Sequence, residues 1–371
     1  MPFPPDYGGV MDVFFRIKQM KEAGFVIILH CFDYNDRAKE FNIRKLKEYC
    51  WEVHIYSRKK SIFFLFGKQP FIVRSRQNKL LLNNLLKNDY PILFEGIHTT
   101  SFLSCPELKR RHKVLRTHNI EHNYYRYLAD STNQFFKRLF YIIESRKLKR
   151  YESKILPVAQ NVLAISEADK RFFEKLNPQT EVLLPSIDFD QKTVVRQIDE
   201  KFILFHGNLS VEENEKAALF LIAKVFTKID FPVVIAGKSP SVRLQKAITP
   251  LTNVSLIASP NEKEMETLIA SAHIHLLYSF QDTGVKLKLI NVLQNGKFCI
   301  TNNAIVRSLP VKKLLILANS PEEILFALKD LMGRQFDDKI MADRKQFLKM
   351  IYHENKMILN KIFSNNIDYL L

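Results

Sequence analysis

With 371 residues, 46% of them hydrophobic and 26% charged, the chain has the length of two domains and the composition of a soluble globular protein. No apolar run reaches the roughly 18 residues of a membrane span, and the opening "MPFPPDYGGV" lacks the basic-then-apolar order of a secretion signal. The formal charge of +17 leans on the first half, where 33 Lys and Arg face 21 Asp and Glu up to Lys192, and leaves nucleic acid, anionic lipid and anionic substrates as partner classes.

The first signal in chain order is "DYGG" (6–9). Such a glycine turn normally follows the first strand of a parallel α/β domain and opens a helix. Only five residues precede Asp6, so the first strand is expected to be missing or vestigial, as a late start codon or a trimmed chain would leave it. Helical patterns follow at 11–23 and 36–49, and β-branched apolar runs at 25–32, 52–58, 91–97, 112–118 and 161–166 read as strands. The second half repeats the style, with strands at 202–208, 231–237, 253–259, 273–279 and 297–302. Helices fit between them at 214–229, 240–249, 262–271 and 285–295. Alternation of this kind predicts parallel sheets built from right-handed crossovers, and two such halves predict two Rossmann-like domains. The pattern breaks near 185–200. The expected division is 1–190, 191–345, and a C-terminal helix at 346–371 that crosses back to the first domain.

The chemistry-bearing residues gather where strands end. "TGVKLKLINVLQNGKFCITN" (283–302) opens a helix with Thr283 and Gly284 and puts Lys286 and Lys288 in its first turns. The helix dipole favours anions at that end, so lysines there point to a bound anion, and a diphosphate fits. An ordinary capped helix with a solvated lysine is the plainer alternative. Gly207 in "FHGNLS" and Gly237 in "IAGKSP" end the neighbouring strands and complete the same side of the domain, though neither makes a full dinucleotide-binding glycine motif. In the first half, "LFEGIH" sets His98 at a strand end, and "RTHNIEHNYYRYLA" sets His118 and His122 four apart, a spacing that can share a helical face. No third ligand accompanies them, so no metal site is assigned. "FFKRLFYIIESRKLKRYESKIL" (135–156) mixes aromatic and basic residues, as a membrane-surface helix does and as a surface helix with an apolar core side also does. Cys31, Cys50, Cys105 and Cys299 have no paired spacing and suit free thiols in a reducing cytoplasm.

Taken with "ESRKLKRYESKI", "VLAISEADKRFF" and "VVIAGKSP", these segments resemble a glycosyltransferase of the GT-B fold, of the retaining family 4 type, from "PPDYGG" to about residue 305. The resemblance implies two Rossmann-like domains facing across a cleft, a cytoplasmic enzyme, and a UDP- or GDP-linked sugar as substrate, with no resident cofactor or metal. It implies donor binding by Gly207, Asn208, Gly237, Thr283, Gly284, Val285, Lys286, Lys288 and Asn291. On the acceptor side it implies Gly8, Gly9, His118, Asn119 and Glu121, with His98 close to the transferred sugar. Members often carry two glutamates eight positions apart. Thr283 and Asn291 stand at those positions here, leaving Asp282 as the nearby carboxylate.

The leading expectation is therefore transfer of a sugar to a glycan or lipid-linked acceptor in bacterial surface polysaccharide or glycoconjugate synthesis, with docking at the inner face of the membrane. The missing glutamate pair motivates a second reading, a sugar-nucleotide-binding or scaffold protein that has lost turnover. An epimerase on the same fold would need acid/base carboxylates that cannot be placed. Nucleic-acid binding explains only the charge.

Overall fold

The structure, a computed structural model, describes residues 1–5, 8–33, 38–59, 61–132, 134–188, 200–281, 287–307, 309, 311 and 314–364. These fall into two compact units, one of Met1–Ile187 together with Ile351 onward, the other of Asp188–Met350.

The first unit runs α1 (Gly8–Glu22), β1 (Ile28–Asp33), α2 (Glu40–Lys47), β2 (Glu52–Ser57), α3 (Phe71–Arg74), α4 (Lys79–Leu85), β3 (Ile92–Glu95), β4 (Lys113–Arg116), α5 (Glu121–Ser131), α6 (Phe135–Ile155), β5 (Asn161–Ala164), α7 (Glu167–Phe173) and β6 (Thr180–Val182). Its strands pair in parallel but in two separate sheets, β1–β2 and β3–β4–β5–β6. Residues 1–5 form no strand before α1, and among the described residues none joins the two sheets. One apolar core nevertheless serves both, because Phe32 and Tyr56 from the smaller sheet are buried with Ile92, Phe94, Leu115 and Val162 from the larger.

The second unit contains β7 (Ile203–His206), α8 (Glu212–Lys224), β8 (Val233–Gly237), α9 (Val242–Ile248), β9 (Val254–Ala258), α10 (Glu262–Ser271), β10 (Ile274–Leu277), α11 (Leu287–Asn295), β11 (Phe298–Thr301), α12 (Asn303–Val306), β12 (Ile316–Leu317) and α13 (Pro321–Met332). The sheet is parallel, in the order β12–β11–β10–β7–β8–β9. Strands β7, β10 and β11 are buried at every position, as strands with helices on both faces must be. Local chemistry starts the intervening helices. The Ser241 hydroxyl accepts from Leu244 N at α9, and Asn261 and Glu264 form a reciprocal cap at α10. Beyond the sequence expectation lie β6, β12, α3, α4, α7, α12 and the twelve-residue α13.

Helix α14 (Asp338–Ser364) belongs to the second unit up to Met350 and to the first from Ile351. In its earlier part the buried Arg344 guanidinium donates to the carbonyls of Gly296, Lys297 and Leu314. In its later part Leu359, Ile362 and Phe363 are buried with Val114, Leu163 and Leu183, and Asn355 donates to the Leu184 carbonyl. The first unit's core is thus completed by the last helix of the chain. Replacing the fully buried Leu359 by Ala is expected to lower stability by about 3 kcal/mol, while Ala at the exposed Met357, two positions away, should stay within about 0.5 kcal/mol. Urea midpoints of the two variants check this.

Candidate functional site

In the second unit the strand order reverses between β7, whose successors β8 and β9 lie to one side, and β10 on the other. Ligands of open α/β sheets bind outside the carboxyl ends of the strands at such a switch point. Gly207 leaves β7 there, and its N–H donates to the Ala236 carbonyl on β8. Gly237 closes β8 with its backbone against that turn. A Cβ at Gly237 would lie 1.8 Å from the Gly207 carbonyl oxygen, so only glycine lets the two loops run side by side. Just beyond, Ser239 holds φ at 50° while its N–H donates to the Ser259 hydroxyl, a strained conformation of the kind concentrated at binding loops.

Side chains then link this turn to α11. The Asn208 side-chain oxygen accepts from the N–H and hydroxyl of Ser210, and its backbone carbonyl accepts from Asn214 Nδ2 at 2.9 Å. The Asn214 oxygen in turn accepts from Lys288 Nζ at 3.4 Å, and that ammonium stands 5.6 Å from the centre of the Phe205 ring. Gly207, Asn208, Gly237 and Lys288 are therefore brought together, with Asn208 shaping the loop. Asn291 lies one turn further along α11, partly buried. Asp282, Thr283, Gly284, Val285 and Lys286 lie outside the described residues. On the β10 side, the Ser279 hydroxyl bonds Glu213 from the first turn of α8, and the Ser279 carbonyl accepts from Asn302 at 2.7 Å. His206, at the end of β7, is buried with neither ring nitrogen hydrogen-bonded among the described residues. Burial, with Lys288 close by, pushes its pKa down to about 3.

The first unit gathers charge at the carboxyl ends of β3 and β4. Gly96 turns the chain at φ +86°, where a Cβ would meet the His98 ring at 2.6 Å. His98 packs edge-on to His118, with ring centres 6.3 Å apart. Burial holds His98 well below its usual pKa, helped by the positive field of Arg76, so its imidazole is neutral. His118 Nε2 contacts Glu95 at 3.0 Å. Glu95 also pairs with Arg116 at 3.3 Å and Arg16 at 3.4 Å, and Asp12 pairs with the same two arginines at 2.6 and 3.1 Å. Burial alone would raise the Asp12 pKa, but Arg116 and then Arg16 outweigh it and hold it at about 2. Gly8 and Gly9 open α1, four and three residues ahead of Asp12.

His118 and His122 do not share a helical face as their spacing suggests. α5 begins at Glu121, His118 lies in the turn before it, and His122 Nδ1 bonds a different carboxylate, Glu152. Glu121 is buried beside the same Glu152, which accepts its backbone N–H at 2.7 Å. Burial and then the Glu152 charge push the Glu121 carboxyl up to about 8, so it carries its proton at neutral pH, with Asn119 as a hydrogen-bonding neighbour. Sequence reading passed over Asp12, Arg16, Glu95, Arg116, Asn214 and Ser279. For Arg116 the signal was a charge in the middle of an apolar strand, "HKVLRTH".

No protein-family model matches the chain. An uncharacterized 44.6 kDa protein in the cps region of Klebsiella pneumoniae is 25% identical over 389 residues, spanning 98% of this chain and 97% of its own. A glycosyltransferase from Rickettsia africae superposes with a TM-score of 0.68 at 14% identity, covering 97% of this chain and 96% of that one. The fold is that of GT-B glycosyltransferases. Anabaena HepE, in complex with UDP and glucose, gives a TM-score of 0.60 at 12% identity over 98% of this chain and 96% of its own. Both units of that fold are therefore present, each built on parallel strands with helices between them.

The buried histidines make the fold acid-sensitive. His206, His98 and His275 all have folded pKa values below the ordinary 6.5, so below about pH 6.5 the unfolded chain binds protons that the native state refuses. Stability is full above that pH and falls as the pH drops, by about 1.4 kcal/mol per pH unit for each such histidine. In urea titrations at about pH 7.5, 6.5 and 5.5, His206→Leu should show a slope shallower by about one proton than wild type. An unchanged slope would mean that His206 is not held neutral.

Proposed function

We propose that this protein is a glycosyltransferase that moves a sugar from a nucleotide-sugar donor to a glycan or lipid-linked acceptor, in the making of a bacterial surface polysaccharide or glycoconjugate. The observation that carries the reading is the second unit's switch point, where the Gly207 and Gly237 turns run side by side and Lys288 stands beside them near the start of α11. A diphosphate suits that place. Alongside it α8 opens with Glu212, Glu213 and Glu215, which repel phosphate, whereas the first described turn of α11 carries a cation and no carboxylate. The Anabaena protein, solved with UDP and with UDP-glucose, favours a uridine donor. The cps-region relative agrees with polysaccharide synthesis. No resident cofactor or metal forms part of the proposal.

Catalysis in this reading rests on the leaving group. As the glycosidic bond lengthens, negative charge grows on the departing diphosphate, and Lys288 with the amides at the head of α11 neutralises it. The sequence resemblance adds a retaining course of the family 4 type, with His98 near the transferred sugar and Gly8, Gly9, His118, Asn119 and Glu121 on the acceptor side. A neutral His98 can accept one hydrogen bond from, or donate one to, a sugar hydroxyl. The second reading, a donor-binding subunit without turnover, is favoured by Asn291, a neutral amide where relatives often place a ribose-binding glutamate.

Lys288→Ala is expected to weaken UDP binding by about 1.5–3 kcal/mol, the worth of a charge-assisted hydrogen bond. Calorimetric titration of wild type and variant measures it, and equal affinities would remove the diphosphate from this place. A thermal-shift panel of UDP, GDP, ADP and their sugars selects the donor. Release of UDP from the selected sugar donor then separates the transferase from the binding subunit, which would bind and release nothing.

A further inference from the structure

Beside the ion pairs of Asp12, Glu95, Arg16 and Arg116, the first unit gathers a second set of charges at its strand ends. Arg58 follows β2, and His98 follows β3 in the 3-10 turn Ile97–Phe102. Arg76 lies just beyond α3, the short helix that packs against that same turn. Hydrogen bonds hold the two arginines in neighbouring segments. Lys59 N donates to the Ser75 carbonyl and Arg58 Nε to the Ser75 hydroxyl, both at 2.9 Å, while Arg76 donates to the Ile72 carbonyl at 2.6 Å. The Arg58 guanidinium also stands 5.5 Å from the centre of the Phe71 ring. Anchored through Nε, it keeps its two terminal nitrogens in the planar fork that meets a carboxylate or phosphate end-on.

The charge of this neighbourhood is one-sided. Residues 53–88 include eight Lys and Arg and no Asp or Glu. The charges that weigh most on His98 are Arg76, His118, Arg58 and the amino terminus, all positive when charged. Described carboxylates close by are engaged with other cations, Glu95 with Arg16 and Arg116, Glu144 with Lys147, and Glu152 with His122. Glu121 feels the Arg76 charge, yet burial and then Glu152 keep its proton on at neutral pH, so it adds no negative charge. Two guanidiniums on the ligand side of parallel strands, near a neutral imidazole, suit an anion that arrives with a substrate.

We propose that Arg58 and Arg76 form an oxyanion subsite beside His98, and that the acceptor is an acidic sugar, with a carboxylate or a phosphate close to the hydroxyl that is glycosylated. The inference rests on the transferase reading, which makes the first unit the acceptor's side, and it narrows the acceptor from any glycan to a charged one. A neutral glycoside forgoes the charge-assisted contacts and binds about tenfold to a hundredfold less tightly.

NMR titration of the full chain with methyl glucuronide, glucose 6-phosphate and the neutral methyl glucoside tests it, with UDP titrated in parallel. Wild type is expected to bind an acidic probe about tenfold or more tighter than methyl glucoside, and the preferred probe assigns the oxyanion to carboxylate or to phosphate. Arg58→Gln and Arg76→Gln should each remove most of that preference with UDP affinity within about twofold of wild type, and Arg58→Lys, which keeps the charge, should retain part of it. Arg58 is half-buried and held by one side-chain hydrogen bond that Gln can replace, so its variants carry the test even where Arg76→Gln, at a buried site, lowers the thermal midpoint. Equal binding of charged and neutral probes, no detectable binding of either acidic probe, or a preference that survives Arg58→Gln would each overturn the proposal. So would a preference lost in Lys288→Ala instead, or a UDP affinity about tenfold lower in Arg58→Gln, since either assigns the anion to the donor. If UDP fails to bind wild type while the acidic preference depends on Arg58, the transferase reading falls and the subsite stands.

Discussion

The first unit is organised around four charges, three of them buried and the fourth, Glu95, partly so. Arg16 and Arg116 are both almost wholly removed from water, which is sustainable only with carboxylates in contact, and Asp12 and Glu95 supply them. The quartet fixes α1 against the ends of β3 and β4. It also holds the segment that leaves the unit, since Arg16 donates to the Leu184 carbonyl and Asp12 accepts from Ser186 N at 2.9 Å. Glu95 passes the arrangement on to His118, and His118 to the ring of His98. The side chains expected near a transferred sugar are thus positioned by ion pairs two contacts away. Truncating any one member would strand an opposite charge in a dry place, where it costs far more than a surface pair.

The second unit achieves its site by backbone means. Two glycines let adjacent loops touch, a left-handed serine follows, and a chain of amides from Asn208 through Asn214 carries the geometry to Lys288. Among the described residues, ionisable groups enter only at its edges, through Lys288 and Glu213.

Much of this was legible in the chain itself. Each of the ten strands read from β-branched runs is present, because a parallel sheet covered on both faces needs continuous apolar segments and those stand out. The short β6 and β12 were not legible, since three and two residues carry no period. That Gly207, Gly237 and Lys288 meet could be read because strand ends and the next helix start gather on one side of a parallel sheet. Asp12, Glu95 and Arg116 could not, because their partners lie up to about a hundred positions away and a lone sequence does not reveal which charges meet. The 118/122 histidine spacing misled for a related reason. Four residues share a face only inside a helix, and α5 starts between them.

Helix α14 has a bearing on how the protein is made. The ribosome delivers residues in order, and the core residues Leu359, Ile362 and Phe363 belong to a unit whose other parts emerge before Asp188. At synthesis rates of order 5–20 residues per second, that unit waits roughly 10–35 s for its last helix. Val114, Leu163 and Leu183 stay uncovered meanwhile, while the second unit is already emerging. The first half of the chain is thus the last to be finished, and the interval exposes apolar surface to whichever chaperones attend the nascent chain.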